Sequence, residues 1–191
     1  MSRRPRILLS VVALVVGVIA VGTAPNGTNV VDPFAVWGAP GEAVEGRVLT
    51  AEVLGARAGS ELLIADGADA PIDSPGVWLV VDVELTAAQG WLSLSQTEVQ
   101  IDGSDYRTSP IADDTALLTL PYGSDVPMRG SLVFELPEAA IEAGTARLVL
   151  RTTIDDRLDS VPVISLDLRE LETSDEVSVE PPVVVSPGAG S

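Results

Sequence analysis

Cysteine, histidine and lysine are all missing from this chain of 191 residues. Without cysteine there is no disulfide framework, no thiolate metal site and no lipidated cysteine to hold the protein at a membrane. Without histidine, the Ser-His-Asp and Cys-His nucleophile systems and the usual zinc and iron ligand sets drop out together. All 11 basic residues are arginine, a bias that fits GC-rich codon usage better than it fits a function. Carboxylates are what remains for chemistry. A glycosidase pair needs two of them about 5 to 9.5 Å apart across a cleft, a spacing that 28 scattered acids do not spell out, so no catalytic residue is assigned.

Positive charge is also scarce outside the first residues. Arg3, Arg4 and Arg6 precede every one of the 28 acids, so from Pro25 onward 8 arginines face 28 acids, a balance of 8 − 28 = −20 against −17 for the whole chain. A surface of that sign repels phosphate backbones and anionic headgroups, which argues against nucleic acid as a partner and against peripheral membrane binding through a basic patch.

What is present begins with "MSRRPRILLSVVALVVGVIAVGTAP". From Ile7 to Gly22 only Ser10 is polar, and the arginines in front of the run hold the N-terminus in the cytoplasm by the positive-inside rule. The run is long for a signal-peptide core and short for a spanning helix. Gly22 and Ala24 offer small residues for cleavage, but Pro25 then follows the cut, and a cut after Ala20 falls inside the apolar run. The balance favours an uncleaved signal anchor over residues 1–24: one N-terminal transmembrane helix, with the rest of the chain extracellular on the cell membrane, or secreted if the segment is removed.

Residues 25–43, dense in Pro, Gly and Asn, read as a linker. Phe34 and Trp37 interrupt it and are expected to form a flap on the following domain. Alternation of period two then runs from 44 to 171. Leu49, Ala51 and Val53 share a face, and "GVWLVVDVELTA" puts Val77, Leu79, Val81, Val83 and Leu85 on one side with Trp78, Val80, Asp82, Glu84 and Thr86 on the other. Trp78 is expected to be covered by the Phe34–Trp37 flap. "WLSLSQTEVQID" changes phase near Gln96, Asp102-Gly103 supplies a hairpin turn, and "RGSLVFELP" turns Leu132, Phe134 and Leu136 inward. "EAAIEAG" is the only helical stretch after the N-terminus. Leu148 and Leu150, then Ile164, Leu166 and Leu168, complete the inward set. Seven to eight strands without a long helix predict an all-β fold, an antiparallel immunoglobulin-like β-sandwich, with a closed barrel as the alternative. Residues 172–191, acidic and then rich in Pro, Val, Ser and Gly, read as a disordered tail.

Oxygen-rich loops are the remaining candidates for a ligand. Asp102 and Asp105 flank the hairpin turn, Asp113 and Asp114 are adjacent, and Asp66, Asp69, Asp73, Asp155 and Asp156 add further hard donors of the kind calcium takes. None fits an EF-hand loop, and Asp-Gly at a β-turn is ordinary turn chemistry. The weak metal candidates are Asp102, Asp105, Asp113 and Asp114.

"GVWLVVDVELTA", "VQIDGSDYRTS" and "MRGSLVFELPEAAIEAGTARLVLRT" in that order resemble the telokin-like, immunoglobulin-like domains of actinobacterial secreted antigens and related bacterial domains of unknown function. The points of likeness are Asp102, Gly103 and Tyr106 in the hairpin, then Gly130, Phe134 and Pro137 around the following strand. Thr86-Ala87 and Met128-Arg129-Gly130 depart from the pattern. The resemblance implies an extracytoplasmic sandwich with no catalytic residues. The expected role is a non-enzymatic interaction domain for a protein partner in the cell envelope, the alternative being a module that binds calcium, another small ligand or cell-wall glycan.

Overall fold

The computed structural model describes residues 33–65, 70–88, 92–94, 96–112, 117, 119–120, 126–152 and 159–185. The apolar segment 1–24, residues 25–32 of the expected linker, and Asp66, Asp69, Asp113, Asp114, Asp155 and Asp156 lie outside the described residues. Among the described residues no helix is long and apolar enough to cross a membrane.

The strands in chain order are β1 (Phe34–Gly38), β2 (Val44–Glu45), β3 (Leu49–Ile64), β4 (Ile72–Ala87), β5 (Leu92–Ser93), β6 (Glu98–Ile101) and β7 (Ser104–Arg107). They continue as β8 (Thr119–Leu120), β9 (Met128–Leu136), β10 (Thr145–Val149), β11 (Ser160–Asp167), β12 (Glu172–Val179) and β13 (Val183–Val184). One sheet has the order β1-β11-β10-β6-β7 and the other β12-β3-β4-β9-β13, with β2 beside β3. The chain is a β-sandwich, as the alternation predicts. Its main core lies between the sheets and unites Leu79, Val81 and Phe134 from one with Val99, Leu148 and Ile164 from the other.

Local chemistry explains the pairing. The β6–β7 hairpin turns on Asp102 and Gly103 with φ of 48° and 81°, the two positive values that a type I′ turn requires. The phase change near Gln96 is a tight turn, with Thr97 N–H donating to Leu94 O at 2.9 Å between two buried leucines and the β6 face. The predicted helical stretch is a short helix over Glu138–Glu142. In β11, Pro162 accepts from Leu150 N–H at 3.1 Å and can donate nothing back, and β10 ends at Val149.

β3 and β4 form a hairpin of two 16-residue strands, and two register shifts interrupt it, at Val53/Gly55 and Gly59/Glu61. Each shift moves the inward set by one residue. Leu49, Ala51 and Val53 face the main core, Ala56 packs against it on the opposite parity, and Leu62 joins a second cluster on the outer face with Trp78, Val80 and Val133.

That second cluster corrects two expectations, and β1 corrects a third. Residues 172–179 are not a tail: β12 pairs in parallel with β3, and its Val177 and Val179 close over Trp78. Gly59 permits the approach, because a side chain there would meet Ser174 O at 2.9 Å and Val177 Cγ1 at 3.0 Å. Trp78 is only 2% exposed, its indole N–H donates to Ile72 O at 2.9 Å, and its cover is β12 rather than the Phe34–Trp37 segment. The expected linker contains β1, which runs parallel to β11 and leaves Phe34 and Trp37 66% and 55% exposed. The sandwich is therefore antiparallel except for two parallel pairs at sheet edges, and it has more strands than the seven or eight expected.

Trp78→Ala should lower unfolding free energy by about 3–5 kcal/mol, the usual cost of emptying a buried aromatic site, as read by urea denaturation. Ending the chain after Leu171 should have a comparable or larger effect; an unchanged midpoint would mean that β12 contributes nothing to the fold.

Candidate functional site

The outer face of the five-stranded sheet carries an aromatic and polar stripe. Strand register sets it: Trp37 lies opposite Val163, Arg147 opposite both Ser165 and Gln100, and Gln100 opposite Asp105. Residues paired across strands share a face, so these side chains run across β1, β11, β10, β6 and β7 on one side. Val149, Val161 and Val163 form a separate buried cluster on the same side. Arg147 Cζ stands 5.2 Å from the centroid of the Trp37 ring. A guanidinium over an indole at an exposed site gains about 0.5–1 kcal/mol, enough to bias the ring's orientation while leaving half of it open to solvent. Beyond Arg147 lies a depression of about 400 Å³ lined by Gln100, Asp102, Gly103, Asp105, Thr145 and Arg147.

The sequence-predicted ligands divide. Asp102 and Asp105 are exposed and share this depression. Asp73 sits on β4 in the other sheet, and Asp113 and Asp114 lie outside the described residues. Among the described residues no group of three or more acidic, His or Cys side chains gathers. Arg147 lines the same depression as the two aspartates, and its positive charge opposes a metal ion there.

The other sheet presents a polar knot that the sequence does not mark. Arg57 reaches from β3 to the Asp82 carboxylate on β4 and also donates to Ser178 O on β12, while Ser131 Oγ on β9 donates to Asp82 Oδ1 at 2.6 Å. Arg129 Nε donates to Glu84 Oε2 at 2.6 Å. Both guanidiniums are thereby engaged by carboxylates of their own sheet. They line a cleft of about 370 Å³ whose outer wall includes Pro181 and Val183. Asp82 and Glu84 belong by alternation to the outer face of β4, but the arginines that answer them are 25 and 45 residues distant in sequence, and no local spacing announces the pairs. Trp37 and Arg147 meet in the same way, through strand order alone.

No family model matches the sequence, and neither does any curated protein. Three solved structures resemble it in part. An uncharacterized β-sandwich protein from Clostridium difficile 630 has 12% identity and a TM-score of 0.42, covering 69% of this chain and 94% of its own. The yjhA protein from Bacillus subtilis has 17% identity and a TM-score of 0.43, with 66% and 98% covered. A lipoprotein candidate from Staphylococcus aureus subsp. aureus NCTC 8325 has 12% identity and a TM-score of 0.46, with 74% and 97% covered.

The two faces should respond differently to truncation. Trp37→Ala, at an exposed ring whose one marked contact among the described residues is Arg147, should change stability by no more than about 1 kcal/mol. Arg57→Ala, which leaves Asp82 and the Ser178 carbonyl without their charged donor, should cost about 1–3 kcal/mol. Urea unfolding of both variants checks this, and a large loss at Trp37 would make its ring a structural rather than a surface feature.

Proposed function

We propose that this protein is a non-enzymatic interaction domain of a bacterial cell envelope, tethered to the membrane by its N-terminal apolar segment with the sandwich on the extracytoplasmic side. The arginine cluster ahead of residues 7–22 and the strongly acidic remainder support the orientation. Kinship with the telokin-like, immunoglobulin-like domains of actinobacterial secreted antigens belongs to the same reading and rests on the Asp102-Gly103 hairpin and the Gly130–Pro137 strand.

One observation carries the choice of surface: Trp37 is a half-exposed indole, held by Arg147, at the edge of a polar depression. Trp and Arg are the residue types that dominate binding energy when a protein partner covers them. The paired state of Arg57, Asp82, Arg129 and Glu84 makes the opposite face the poorer candidate.

A second reading has its own support. An exposed ring beside Gln100, Asp105, Thr145 and Arg147 offers a stacking platform with hydrogen-bonding groups next to it, the combination that a cell-wall glycan would use. Calcium held by Asp102 and Asp105 is the weaker variant of a ligand-binding role.

A photo-crosslinking residue placed in the β6–β7 turn should capture an envelope protein in cells, and Trp37→Ala or Arg147→Ala should reduce that capture by tenfold or more. Loss of retention on purified peptidoglycan in the same two variants, with no protein captured, would favour the glycan reading. Capture unaffected by either substitution would remove this face from consideration.

A further inference from the structure

The side of β9 that faces away from β4 is closed by short pieces from three parts of the chain. Thr108 bridges to Phe134, and Ser109 N–H donates to Val133 O at 2.7 Å. Leu117 N–H donates to Ser131 O at 3.1 Å. β13 covers Met128 and Arg129, and Val185 N–H donates to Pro127 O at 2.8 Å. Leu117 is buried in the main core, which ties its piece down. β13 has no such tie: Val183 and Val184 are 57% and 55% exposed.

Burial along the C-terminal chain stops at Val179, which is fully covered in the Trp78 cluster. Only Glu180, Pro181 and Pro182 separate that anchor from β13. Two consecutive prolines hold the segment extended with or without a partner, so little ordering remains to be done when β13 docks, whether in its own seat or in that of another chain. A short stiff hinge before an end strand is also the condition under which such a strand exchanges between identical chains.

We propose that the β9 edge is a strand-docking site for the β13 segment of a second copy, so that two chains exchange their C-terminal strands. The seat is selective for an extended β-branched segment following proline, because that is what it holds in cis. Val185 and Pro127 form a hydrogen-bonded position, which makes Val184 and Met128 the close, non-hydrogen-bonded pair and restores hydrogen bonding at Val183 and Arg129. The seat and the strand occur once in every chain, so the exchange is reciprocal and closes as a two-fold pair.

The absence of native cysteine makes the test direct. Full-length Met128→Cys and Val184→Cys chains carrying different tags are co-expressed and analysed by non-reducing electrophoresis. A disulfide-linked heterodimer is expected, in several-fold excess over a collision control that combines Met128→Cys with Thr173→Cys. Replacing Pro181 and Pro182 by glycine should lower the yield. Arg129→Cys with Val183→Cys provides a second pair at exposed positions should the Met128 variant fold poorly. The proposal is overturned if the double variant Met128→Cys/Val184→Cys closes its bond only within one chain while the mixed single variants stay at the control level. It is equally overturned if Met128→Cys is captured by a different protein.

Discussion

An indole on the outer face of a sheet has to be covered, and covering Trp78 draws strand β12 into place. β4 is apolar on both sides at this point, since Trp78 and Val80 look outward while Leu79 and Val81 look into the core. A two-layer sandwich buries only one side of each sheet, so the second side needs its own lid. The curled end of the β3–β4 hairpin supplies Leu62, β12 supplies Val177 and Val179, and Gly59 removes the side chain that would have held β12 away. Arg57 then fastens the lid with a bond to Ser178 O while its charge is answered by Asp82.

The parts of this architecture that a reader of the sequence recovers are those in which side chains carry the information. The inward leucines and valines of β4, β9, β10 and β11 alternate cleanly, and the Asp102-Gly103 turn is nearly determined by its dihedral requirement. β1 and β12 are hidden for the opposite reason. Both are edge strands that pair in parallel through backbone groups, and backbone hydrogen bonding leaves no trace in residue type. In "ETSDEVSV" only two valines are buried, too few to establish a period. The bulges in β3 conceal its continuity, because each one inverts the parity on which alternation is judged. The Trp37–Arg147 contact and the Arg57–Asp82–Ser131 knot join residues that only sheet order brings together.

The two outer faces of the sandwich consequently differ in kind. On one, Arg57 and Arg129 are matched by carboxylates of their own sheet, which strands β12 and β13 border. On the other, an indole stays half open beside a polar depression. The second face is the one on which the proposed interaction role rests.

Pro162 has a meaning beyond ending a ladder. Because side chains on a strand repeat every two residues, sliding β10 by two positions along β11 would keep every leucine facing inward, and hydrophobic burial alone would hardly resist the error. Advancing β10 past its present limit would bring the ring nitrogen into the middle of the ladder, where a donor is required and none exists. One imino acid thus acts as a mechanical stop, giving the assembling sheet a zero point that its greasy interior does not provide.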